Sequence, residues 1–192
     1  MCKNFKCAKK LNGCVKFCDK VFASDLHVVS LYGRGEKGKT QTLNKLLTLL
    51  TQPNFVFKTA NGFNSYANFL NSVQNNPKQD HTALFTYTNK KGENKTVGIT
   101  TTGDMCYCLA KEFDWLKQAN NNQDCNLYIC ASHLNGSTVD WLKARTANGY
   151  LLRLSKLAIE TIGNVPNVPI ISQNTINDLQ AKYIYDIILN LL

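Results

Sequence analysis

Between Leu26 and Leu50 the chain reads L-H-V-V-S-L-Y-G-R-G-E-K-G-K-T-Q-T-L-N-K-L-L-T-L-L, and this stretch restricts the possible folds more than any other. Val28, Val29, Leu31 and Tyr32 form a short β-branched and apolar run, long enough for a strand buried on both faces and too short for a helix. Gly33, Gly35 and Gly38 then bring together residues that tolerate positive φ. Leu43, Leu46, Leu47 and Leu50 recur at helical spacing immediately afterwards, so a helix begins inside the glycine-rich turn.

Within that turn Gly33, Gly38, Lys39 and Thr40 match the spacing G-x-x-x-x-G-K-[ST]. Glycines let successive backbone N–H groups curl around a phosphate, while the unpaired amides and positive dipole end of the new helix face the same anion. In such an arrangement Lys39 reaches the terminal phosphates and the Thr40 hydroxyl ligates Mg²⁺. At average composition the spacing arises by accident in roughly one chain of this length in a hundred, before any strand or helix is required. The stretch resembles the Walker A signature of the P-loop NTPases. That resemblance implies a three-layer α/β fold with a mainly parallel sheet. It also implies ATP and Mg²⁺ as ligands, and nucleotide contacts from Gly33, Arg34, Gly35, Glu36, Lys37, Gly38, Lys39, Thr40 and Gln41.

A chain of 192 residues, 44% of them hydrophobic, can bury one sizeable core. We expect a basic, Cys-rich segment over 1–24 and one NTPase domain over 25–192. No apolar run approaches the ~18 residues of a membrane span, and the Lys-rich start lacks the apolar centre of a secretory signal. The expectation is a cytoplasmic protein whose eight cysteines are reduced thiols or metal ligands. Of the net charge of +9, six lysines against Asp19 place +5 in residues 1–20. Such a segment either contacts a nucleic acid or protein partner or is a solvated end. Cys2, Cys7, Cys14 and Cys18 supply the four thiolates of a tetrahedral zinc site, although the spacing lacks the usual C-x2-C pairs; otherwise they pack as small apolar residues.

Further along, Asn61 to Asn76 reads as a helical segment with Phe63, Tyr66, Phe69, Leu70 and Val73 on one side. Thr82 to Thr88 and Lys95 to Thr101 read as a β-hairpin joined by a turn-rich connector, which puts one antiparallel strand in the sheet. The second run ends in Thr102-Gly103-Asp104. The family resemblance implies a carboxylate at the carboxyl end of a neighbouring strand that holds Mg²⁺, and Asp104 falls there; an N-cap of the following helix is the competing account. Asn126 to Ala131 is a buried strand, and its loop offers His133, Asn135, Ser137 and Thr138 for base, ribose or substrate contacts, or the last two as helix caps. No N-K-x-D follows it, which argues against guanine specificity. Tyr150 to Ser155 is the last strand. Arg145 is the candidate cation for the charge that develops during phosphoryl transfer. Asn174 to Leu192 closes the chain as an amphipathic helix whose Ile176, Leu179, Tyr183, Ile187 and Leu191 share a face.

The function expected from these residues is Mg²⁺-dependent ATP binding with ATP hydrolysis, in which Lys39, Asp104 and Arg145 act on the phosphates and Thr40 and Asp104 hold the metal. A kinase passing the γ-phosphate to a small molecule or nucleotide is the alternative. A binding module switched by nucleotide is a third reading.

Overall fold

The computed structural model describes residues 26–33, 38–51, 53–157 and 172–192. The expectations for the 1–24 segment, its zinc site at Cys2, Cys7, Cys14 and Cys18, and Arg34, Gly35, Glu36 and Lys37 lie outside these residues.

Six strands build the sheet: β1 (His27–Tyr32), β2 (Phe55–Ala60), β3 (Thr82–Thr88), β4 (Asn94–Thr100), β5 (Leu127–Ser132) and β6 (Tyr150–Ser155). Their spatial order is β2-β3-β4-β5-β1-β6. β1 lies parallel to both β5 and β6, and β5 lies parallel to β4. β3 alone runs the other way, paired antiparallel to β4 and to β2. The hairpin is therefore present, its first strand with the expected bounds and its second starting and ending one residue earlier, and it makes one reversed strand in an otherwise parallel sheet.

Among the described residues five helices cover the two faces: α1 (Lys39–Leu49), α2 (Tyr66–Asn75), α3 (Cys106–Ala119), α4 (Ser137–Arg145) and α5 (Gln173–Leu191). Alternation along β1 sets the layers, because successive side chains of a strand point to opposite faces. Val29 and Leu31 join a core with Leu43, Leu46 and Leu47 of α1, Phe69 and Val73 of α2, and Ala181, Ile184 and Ile188 of α5. Val28 joins the opposite core with Leu109, Phe113 and Leu116 of α3 and Trp141 and Leu142 of α4. The result is a helix–sheet–helix α/β sandwich.

Two expectations change, and one strand lies where none was expected. Phe55 to Ala60 is an edge strand, although a register shift between Phe57 and Thr59 breaks the alternation that would have marked it. The buried face of α5 is Asn177, Gln180, Ala181, Ile184 and Ile188, whereas Leu179 and Tyr183 are each 59% exposed. Two polar side chains belong to that stripe because each has partners inside: Asn177 Oδ1 accepts from Thr42 Oγ1 at 3.2 Å, and Gln180 Nε2 donates to the Ser155 carbonyl at 2.6 Å. Finally, Met105 and not Asp104 is the N-cap of α3, and Gly136 caps α4 in place of Ser137 or Thr138. Asp104 is thus released from the capping account.

Candidate functional site

In parallel sheets the loops that follow the strands gather at one edge. Here that edge collects Gly33 after β1, Asp104 after β4, His133 after β5 and Lys156 after β6. Because β3 is reversed, the residue that precedes it, Asp80, arrives at the same edge.

α1 begins at this edge with Gly38, whose φ of 79° is left-handed and which has no side chain to cap the first turn. A helix start directs its first amides and the positive end of its dipole outward along the axis. Lys39 is buried, and its Nζ donates to the Gly33 carbonyl at 3.1 Å and lies 3.8 Å from Asp104 Oδ1. A cavity of about 600 Å³ opens here, lined by Gly38, Lys39, Thr40, Gln41, Lys78 and Asp104.

Two carboxylates face this region from different strands. Gly103 lies so close to the backbone of Ala131 that an added Cβ would sit 2.2 Å from its carbonyl, so the chain leaves β4 along β5 and presents Asp104 at the rim. The Asp104 side chain is 75% exposed and stands between Lys39 and His133, whose Nε2 is 3.6 Å away. Asp80 comes from the α2–β3 connection. Its Oδ1 accepts from the Thr40 hydroxyl at 3.3 Å and from the Thr101 hydroxyl at 3.2 Å. Desolvation pushes the Asp80 carboxyl above its ordinary pKa, the two threonine hydrogen bonds pull the other way, and the charge of Asp104 adds to the rise.

The connection carrying Asp80 is tied down from both sides. Asn44, buried on α1, donates to the carbonyls of Pro77 and Gln79, each at 2.9 Å, and meets His81 Nδ1 at 3.1 Å. His81 N donates to Thr101 Oγ1 at 2.9 Å, and burial holds the imidazole below its ordinary pKa. Lys156, on the other flank, is 7% exposed, sits against Gly33, and is pushed down to about 8 by desolvation.

Of the residues singled out from sequence, Gly33, Gly38, Lys39, Thr40, Gln41, Asp104 and His133 are brought to this edge. Asn135 is exposed in the β5–α4 loop. Arg145 is not at this edge. It ends α4, which starts here and runs roughly 12 Å away at 1.5 Å per residue. There its guanidinium lies 3.9 Å from Asp114 on α3 and 5.4 Å from the Trp141 ring. Arg153 also serves the scaffold, since its Nη2 donates to the carbonyls of His133 and Leu134 at 3.0 and 2.9 Å and its charge lies over Tyr32. Asp80 was missed from sequence because it follows no apolar strand, and Lys78 because it lies in an exposed polar run. Only the reversal of β3 reveals that a residue before a strand reaches the shared edge.

The arrangement combines an anion-accepting helix start, a buried lysine and hard oxygen donors. Among the described residues no cluster of three or more His, Cys, Asp and Glu is positioned to hold a metal. Mg²⁺ does not need one, since it typically takes one or two protein oxygens and completes its shell with water and phosphate. Thr40 and Asp104 line the same cavity, and Asp80 crowds Asp104 with like charge that a divalent cation would relieve. Among the described residues no helix is long and apolar enough to cross a membrane. No protein-family model, curated protein or solved structure matches the chain.

Proposed function

We propose that the protein is a Mg²⁺-dependent, ATP-binding NTPase resembling the P-loop class, and that it hydrolyses the nucleotide held at the carboxyl edge of its sheet. The observation that carries this reading is the position of Lys39, buried at the left-handed Gly38 turn with its ammonium at the Gly33 carbonyl, beside a cavity of about 600 Å³.

Each side chain has a separable task in this reading. The first-turn amides of α1 and the Lys39 ammonium bind phosphate oxygens through charge-assisted hydrogen bonds. The Thr40 hydroxyl and the Asp104 carboxylate hold Mg²⁺, which when bound supplies positive charge against the terminal phosphates. Asp104 Oδ1 also lies near the Lys39 ammonium and near the His133 imidazole, a group at this edge able to accept a proton from an attacking water. Lys78, which lines the cavity, takes the place of Arg145 as the second cation facing the phosphates. The absence of N-K-x-D favours adenine over guanine nucleotides.

Titration of the full-length protein with fluorescent ATP and GTP analogues, with and without Mg²⁺, together with phosphate release, tests the proposal. Mg²⁺-enhanced ATP binding with turnover is expected. No nucleotide binding at millimolar ligand would refute it.

A further inference from the structure

The carboxylate that touches Thr40 is Asp80, and it comes from outside the glycine-rich motif and from before a reversed strand. Two hydrogen bonds converge on one of its oxygens, with the Thr40 and Thr101 hydroxyls donating to Oδ1. A threonine hydroxyl has one proton and two lone pairs. When the proton is committed to Asp80, the lone pairs of Thr40 Oγ1 are left for the cavity that Thr40 lines. A cation needs that orientation, because a hydroxyl rotated the other way would present it with a proton.

Asp80 itself does not line the cavity, so its action passes through Thr40. It is also braced as an orienting group should be. Thr101 Oγ1 receives the His81 amide while donating to Asp80, and Asn44 ties Pro77, Gln79 and His81 to the helix that carries Thr40. The acceptor and the hydroxyl it orients are therefore fixed to a common support.

We propose that Asp80 is a positioning residue of the metal site, holding the Thr40 hydroxyl in the rotamer that offers its lone pairs to the divalent cation of a bound metal·nucleotide complex. The inference rests on the reading of Thr40 as a metal ligand. Residues that orient metal ligands in this way typically contribute 10–100-fold in affinity.

The test is a double-mutant cycle read by Mn²⁺ affinity, measured by electron paramagnetic resonance on the full-length protein saturated with ADP. Asp80→Ala is expected to weaken Mn²⁺ about tenfold, Asp80→Asn, which keeps an acceptor oxygen, to recover at least about threefold of that loss, and Thr40→Val to weaken it by a similar factor. In the Thr40→Val background, Asp80→Ala should add less than about twofold, since residues acting as a unit are not additive. Multiplicative losses would overturn the proposal by giving Asp80 a role independent of Thr40. Unchanged Mn²⁺ affinity in folded Asp80→Ala would overturn it by leaving only a scaffold role, and Asp80→Leu, which is closer in size and equally lacks an acceptor, is read in the same way should the alanine variant not fold. Wild-type protein that binds ADP but no Mn²⁺ overturns it together with the metal reading of Thr40. Protein that binds neither removes the nucleotide reading beneath both.

Discussion

The Thr40 hydroxyl and the Asp80 carboxylate meet at 3.3 Å across 40 positions of chain, one at the start of α1 and the other just before the reversed strand β3. Had β3 run parallel to β4, the residue before it would have opened at the far edge of the sheet. Strand direction thus decides which carboxylates share the edge with Lys39.

Asn44 is the residue through which α1 holds the Asp80 connection. It is 2% exposed, makes two donor hydrogen bonds to backbone carbonyls and meets the buried His81 Nδ1, so Asn44→Ala removes both carbonyl contacts and leaves that ring nitrogen without this partner. The expected cost is about 2–3 kcal/mol in urea unfolding, accompanied by faster amide exchange over residues 77–81. A loss below about 0.5 kcal/mol with unchanged exchange would show that the connection is held by other contacts.

Gly103 has no room for a side chain, because the atoms a Cβ would meet belong to the Ala131 backbone at 2.2 Å and cannot turn aside. Gly103→Ala should destabilise the fold by about 1–3 kcal/mol or more, the range of overpacked sites, and should displace Asp104. Denaturant midpoints compare the variant with wild type. Equal midpoints would mean that the exit from β4 is looser than the geometry implies.

Much of this was legible in the sequence because local patterns and tertiary placement agreed. β1, α1, the β3–β4 hairpin, β5 and β6 could be read from apolar runs bounded by glycine and asparagine. Part of the rest was lost because tertiary partners satisfy polar groups that are buried, and part because placement depends on the length or direction of an element. Asn177 and Gln180 look like solvent-facing residues of α5 until Thr42 and the Ser155 carbonyl are placed beside them. Arg145 looks like a free cation near a catalytic loop until the length of α4 carries it to Asp114. Asp80 has no local signature, since its importance comes from the direction of the strand that follows.

Lys156 gives a pH dependence with a definite sign. Burial lowers its pKa from 10.5 to about 8 in the folded chain, so between those values the unfolded state binds the extra proton. Stability from this group therefore rises with pH across that window, is complete above 10.5, and is lost as pH falls through about 8. Lys156→Met, which removes the charge, should raise the melting temperature most at pH 7, with the gain shrinking toward pH 10. A gain that is constant with pH would place its origin in packing instead.

The central claim is that Lys39 grips the phosphates of a bound nucleotide. Calorimetric titration of Mg·ATP into wild-type and Lys39→Ala protein, paired with phosphate release from the same samples, tests it most directly. Removing the cation from a buried charge-assisted contact costs about 2–5 kcal/mol, so the variant should bind at least about thirtyfold more weakly and release no phosphate above background. Equal affinity and equal turnover in the two proteins would contradict the account.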